Sequence, residues 1–124
     1  MNFNSILIGS EDADALAAFY TKLFGEPTMA DGGYTGWQIG NGFVTVGPHS
    51  EVTGTNPQPG RLLWNIECDD VRGTFDRLKA AGGIVVAEPY TMDGMGENDY
   101  IATFADPDGN YFQLMSPMEP PSQG

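Results

Sequence analysis

Two rhythms of apolar and polar positions alternate along this chain, and their order repeats once. Phe3–Gly9 is a short apolar run rich in Ile and Leu, the pattern of a strand. Ser10, Glu11 and Asp12 then offer caps and negative charge for a helix start. Leu16, Phe19, Tyr20 and Leu23 recur at spacings of three and four, which puts them on one helical face, and Gly25 with Pro27 supplies the stop. Three strands follow, over Pro27–Ala30, Tyr34–Ile39 and Phe43–Gly47, with Asp31-Gly32-Gly33 and Gly40-Asn41-Gly42 as turns.

Pro48–Gly60 has no periodicity and is rich in Pro, Gly and polar residues, so it reads as a linker. After it the pattern restarts. Arg61–Cys68 alternates Leu62, Trp64, Ile66 and Cys68 against Leu63, Asn65 and Glu67. Asp69 and Asp70 are natural caps for a second helix with Val71, Phe75 and Leu78 on its buried stripe, ended by Gly82-Gly83. Ile84–Ala87, Tyr100–Phe104 and Tyr111–Met115 complete the second unit, with a Gly-containing loop over Gly94–Asp99. Asp106-Pro107-Asp108-Gly109-Asn110 is a reverse turn in which Pro107 presets φ and Gly109 supplies a positive one, closing a β-hairpin. The fold class is therefore α+β: two repeated βαβββ modules, over residues 3–47 and 61–116, joined by the linker 48–60 in one domain over 1–118, with a flexible tail at 119–124.

Composition narrows the function. A length of 124 residues suits one core, and seventeen Gly with nine Pro suit many turns. The formal net charge of −12 argues against nucleic acid or an anionic membrane as partner and allows a cationic ligand to be steered in. A single cysteine, Cys68, forms no internal disulfide; it sits on the apolar face of its strand and reads as packing. With no basic-then-apolar leader and no membrane-length apolar stretch, the expectation is a soluble cytoplasmic protein.

Phe19-Tyr20 and Leu23-Phe24-Gly25, Asp69-Asp70-Val71 and above all Phe104-Ala-Asp-Pro-Asp-Gly-Asn-Tyr-Phe-Gln carry a resemblance that spans nearly the whole chain. The sequence resembles the vicinal oxygen chelate superfamily of glyoxalases, ring-cleaving dioxygenases and bleomycin-type resistance proteins. The resemblance implies a curved mixed sheet with a cleft, a homodimer, and in the metal-dependent members one divalent ion held by His and Glu, acting as a Lewis acid. Those ligand positions fall here on Ser5, Leu63, Gln113 and, late in the first module, Thr45. Hydroxyls, an amide and an aliphatic side chain are poor partners for a divalent ion, so the reading is no metal and no cofactor, with a divalent metal disfavoured.

The candidate ligand-binding set is Ser5, Trp37, Thr45, Leu63, Asn65, Tyr100 and Gln113, small polar groups and aromatics directed at a cleft. For Trp37 both core and cleft stay open; Trp64 belongs with its apolar neighbours in the core. Glu67 is a weak candidate base, Asp93, Glu97 and Asp99 sit in a loop able to cover a pocket, and His49, the one histidine, reads as exposed beside the linker. The preferred function is a metal-free small-molecule-binding protein for a cationic or aromatic ligand. The alternatives are a metal-dependent lyase, isomerase or dioxygenase, and a domain that acts through protein association.

Overall fold

A computed structural model describes residues 1–117, so the expected tail at 119–124 lies outside the described residues. The elements run β1 Ile6–Gly9, α1 Ala13–Phe24, β2 Met29–Asp31, β3 Tyr34–Ile39, β4 Gly42–Gly47, a 3-10 turn at Pro59–Arg61, β5 Trp64–Glu67, α2 Val71–Ala80, β6 Ile84–Tyr90, β7 Ile101–Ala105 and β8 Tyr111–Met115. Each module forms a four-stranded mixed sheet, in the orders β1-β4-β3-β2 and β5-β8-β7-β6. The first strand of each module runs parallel to the last, with Leu7 beside Thr45 and Asn65 beside Gln113. The repeat read from the hydrophobic pattern is thus a repeat of topology.

Caps set the helices where the sequence places them. The Asp12 carboxylate accepts from the Ala15 N–H at 3.2 Å and Asp70 from the Gly73 N–H at 3.0 Å, each meeting an N–H that the first helical turn leaves unpaired. Gly25, at φ 87°, ends α1 and donates its N–H to the Thr21 carbonyl.

Strand boundaries moved more than strand identities. The second-module opening strand, expected over Arg61–Cys68, shortens to Trp64–Glu67 because the 3-10 turn takes Pro59–Arg61 and leaves Leu62 outside the ladder at 85% exposure. In the other direction β6 runs on from Ala87 to Tyr90 through two register shifts, and it carries Pro89 because it is an edge strand that needs no N–H there.

Helix-facing residues of both modules fuse into one core. Leu16, Tyr20 and Leu23 of α1 join Val71, Phe75 and Leu78 of α2 with Phe104, Phe112 and Leu114 from the second sheet, all nearly fully buried. Each large apolar side chain so buried is worth about 1.5–3 kcal/mol relative to exposure, so this shared layer dominates what holds the modules together. α1 belongs to both: Tyr20 and Phe24 pack against Trp64 and Phe112 of the second sheet, with ring centroids 5.8–6.2 Å apart. The opposite face of each sheet stays open.

Candidate functional site

Strand parity sorts the side chains between core and open face. On the first sheet Thr45 and Leu7 share the open face with Phe43 and Tyr34. Gly36 and Gly47 make room for those rings: a Cβ on Gly36 would stand 2.6 Å from the Phe43 ring, and one on Gly47 would overlap the Tyr34 ring. On the second sheet Asn65, Gln113 and Thr103 lie side by side across β5, β8 and β7, and the Gln113 amide donates to the Thr103 hydroxyl at 3.1 Å. Ser5 and Leu63 each precede the first strand of a module, two residues before Leu7 and Asn65 respectively. Four of the expected residues, Thr45, Leu63, Asn65 and Gln113, thus lie on or beside open faces, divided between two sheets.

Trp37 and Tyr100 do not join them. Trp37 is 2% exposed on the helix-facing side, packs at 6.1 Å from Tyr20, and donates its indole N–H to the Gly25 carbonyl at 3.0 Å. Its parity partners are Thr35 and Ile39, not the open-face Gly36 and Gln38, so the strand turns it inward. Tyr100 precedes β7, exchanges backbone and hydroxyl hydrogen bonds with Ser116, and has the Arg72 guanidinium of α2 over its ring at 4.4 Å, which puts it on the helix side.

Other expectations fall as follows. Glu67 is exposed at the end of β5. Cys68 is half-buried, and its thiol is pushed above the ordinary range by burial, partly offset by Thr74 and Arg77; it is no activated nucleophile. His49 is exposed, and its Nδ1 accepts from the Glu51 N–H at 3.2 Å. The loop carrying Asp93, Glu97 and Asp99 folds on itself, with Asp99 accepting from the Gly96 N–H at 3.2 Å, and none of its acids lines the principal cavity.

That cavity is a groove of about 660 Å³ where the modules meet. Phe3, Leu7 and Ile8 form one wall, Leu62, Leu63, Trp64 and Tyr111 another, and the linker from Glu51 to Pro57 a third. The linker wall is fixed by hydrogen bonds: Gly54 N–H to the Glu11 carboxylate at 2.9 Å, Asn56 N–H to the Asp108 carbonyl at 2.7 Å, and the Asn56 amide to Asn110 Oδ1 at 3.1 Å. Gly9 lets it approach, since a Cβ there would lie 3.0 Å from His49 Cβ and 3.1 Å from Val52. Periodicity could not reveal this wall because a linker has none.

Beneath the groove the Asp106–Asn110 turn locks the modules. Asp106, 2% exposed, accepts from the Tyr20 hydroxyl at 2.7 Å, from the N–H groups of Asp108 and Asn110, and from the Asn110 amide. Burial first, and then the Asp106 charge, raise the Tyr20 phenol far above its usual range, so it stays a donor. One turn residue on, Asp108 accepts from the buried Ser10 hydroxyl at 2.5 Å.

Residues 5–115 match the glyoxalase-like domain family. The chain belongs to that family. This glyoxalase-like chain is 33% identical over 123 residues to the anthracycline biosynthesis protein DnrV of Streptomyces peucetius, with 86% of the chain covered but only 44% of that longer protein. It is 30% identical over 115 residues to a probable lactoylglutathione lyase of Vibrio cholerae, covering 84% of the chain and 82% of the relative. Among solved structures, a bleomycin-binding protein complexed with bleomycin superposes with TM-score 0.66 at 20% identity over 95% of this chain and all of that one. A glyoxalase-related enzyme from Fulvimarina pelagi gives 0.71 at 20% identity over 94% and 89%. The two-module fold is therefore the glyoxalase/bleomycin resistance fold. No helix among the described residues is long and apolar enough to cross a membrane.

The family's divalent ion does not fit this donor set. Ser5 and Thr45 offer hydroxyls, Leu63 offers no donor atom, and the Gln113 amide is engaged with Thr103. Among the described residues no three His, Cys, Asp or Glu side chains converge.

Proposed function

We propose that this chain is a glyoxalase/bleomycin-resistance-like binding protein that takes a small molecule, apolar or aromatic in body and cationic, into the cleft at its module junction without a metal ion. The observation that carries the reading is the groove itself: about 660 Å³, walled by Leu7, Leu62, Leu63, Trp64 and Tyr111, in the size range of small-molecule sites. The bleomycin complex of a structural neighbour supports a binding role for the same fold. We further propose one domain over residues 1–118 that works as a cytoplasmic homodimer, in which a second copy covers the exposed Tyr34, Ile84 and Tyr90 of the open faces.

The test is a groove-filling substitution. Leu63→Trp, at a half-buried position on the groove wall, is expected to weaken binding of the neutral dye Nile red by about tenfold or more, about 1.4 kcal/mol, while leaving the thermal midpoint within a few degrees. Wild-type binding is expected to be unchanged by EDTA. Equal binding by the variant would place the site elsewhere. A second reading, a metal-dependent lyase, is favoured by the 30% identity to the probable lactoylglutathione lyase and opposed by the donor set at Ser5, Thr45, Leu63 and Gln113. Tight stoichiometric uptake of Ni²⁺ or Zn²⁺ in calorimetry would favour it instead.

A further inference from the structure

We infer that Asp108 is the cation anchor of the groove, and that the ligand is an amphiphile whose ammonium or other positively charged donor sits on this carboxylate while its apolar body lies against Leu62, Leu63 and Trp64. The inference rests on the groove being the ligand site and adds the charged subsite and the class of ligand.

Three observations converge on Asp108. Asp108 lines the groove from the turn between β7 and β8, half-buried, and the Ser10 hydroxyl holds one oxygen of its carboxylate, Oδ2, at 2.5 Å. Ser10 is itself 1% exposed and fixed in turn, its oxygen accepting from the Asp12 N–H at 3.1 Å and its own N–H donating to the Gly47 carbonyl at 3.0 Å. The carboxylate is therefore positioned before any ligand arrives. The other oxygen, Oδ1, takes no hydrogen bond among the described residues. Finally, among the described residues the groove's charged ones are Asp108 and Glu51, both acidic, and no Lys, Arg or His lines it. A partly desolvated carboxylate with one free oxygen and no cation beside it is matched by a charge-assisted donor from outside, the stronger class of hydrogen bond. The net charge of −12 attracts the same ligands from solution. Glu51 is exposed and has no such clamp among the described residues, so it contributes field and no fixed contact.

Two probes of one shape separate charge from body: 1-naphthylmethylamine and 1-naphthylmethanol, titrated into the full chain and followed by the backbone amide shifts of Gly54, Thr55, Asn56 and Asn110. The amine is expected to bind about tenfold more tightly than the alcohol, and its methylene to show nuclear Overhauser contacts to the Asn110 side-chain amide. Asp108→Asn keeps an acceptor for Ser10 while removing the charge; it should bring the affinity ratio to about one with the alcohol unchanged, whereas Glu51→Gln should alter the ratio by less than about twofold. A preference that survives Asp108→Asn, that follows Glu51→Gln, or that gives no contact to Asn110 in the wild-type protein overturns the anchor and leaves the groove as the binding site. If neither probe moves these amides, the groove reading itself falls and the anchor falls with it.

Discussion

Ile39-Gly40-Asn41-Gly42 joins β3 to β4, and the Ala105–Tyr111 segment joins β7 to β8, so the two turns hold equivalent places in their modules. The first is a local structure. Gly40 takes the positive φ of 58°, and the Gln38 amide donates to the Gly40 and Gly42 carbonyls at 2.7 and 3.0 Å, with Asn41 exposed. The second is longer and anchored across the molecule: Asp106 meets Tyr20, 86 residues away, and Asp108 meets Ser10, 98 residues away. The helices show the same asymmetry. α2 covers its own sheet, with Phe75 against Phe104 at 5.2 Å, whereas α1 lies on both. A duplicated unit has thus kept its topology while one copy of the turn became the joint between copies and the floor of the groove.

Removing the joint should give the largest effect. Asp106→Ala strands the buried Tyr20 hydroxyl and frees the Asp108 and Asn110 N–H groups, so urea unfolding is expected to show a loss of about 3–4 kcal/mol. Asn41→Ala, at the corresponding turn of the first module, should stay within about 0.5 kcal/mol because its side chain is exposed. Equal losses at the two sites would mean that the asymmetry is geometric only and carries no energy.

That asymmetry also marks what could be read in advance. The repeat, both Asp caps and the Asp106–Asn110 turn were legible because each is a local pattern: period, cap, φ preference. The pairing of Asp106 with Tyr20 was not, since a turn aspartate satisfies its own backbone equally well in sequence and nothing nearby announces a partner in a helix. Trp37 was ambiguous because its neighbours are Gly36, which has no side chain, and Gln38; counting by two to Thr35 and Ile39 gives its inward direction. Tyr100 stands just before a strand, where parity has no reference, and Ser116 and Arg72 decide its side.

The two tryptophans carry the comparison to an intermediate scale. Trp37, in the first module, is fully packed with its N–H on the Gly25 carbonyl; Trp64, in the second, lines the groove, and its buried N–H has no partner among the described residues. Trp37→Phe is expected to cost about 2 kcal/mol, from lost volume plus an orphaned carbonyl. Trp64→Phe should cost under about 1 kcal/mol, because removing an unpaired donor offsets part of the lost contact. Emission should sharpen the contrast: ligand titration is expected to change the fluorescence of the Trp37→Phe protein, which keeps Trp64, and to leave that of Trp64→Phe nearly constant.

One further substitution isolates the hydrogen bond between modules. Tyr20→Phe keeps the ring among Phe24, Trp64 and Phe112 and deletes only the donor to Asp106, whose carboxylate retains its other partners, so at neutral pH the loss should be about 1 kcal/mol. Its pH dependence is more diagnostic than its size. Burial and the Asp106 charge hold the folded phenol above a tyrosine's usual 10, so the folded chain keeps a proton that the unfolded chain releases. The unfolded state then binds fewer protons than the folded one, and stability falls as pH climbs above 10, with the full contribution present below it. The variant has no such proton. Its stability should approach that of the wild-type protein between about pH 10 and 11, by about 1 kcal/mol over that interval as the slope rises toward about 1.4 kcal/mol per pH unit, since all other titrating groups are common to both. A constant offset from pH 8 to 11 would show that the phenol ionises as freely in the folded protein as outside it, and that the contact between α1 and the second-module turn is one of packing alone.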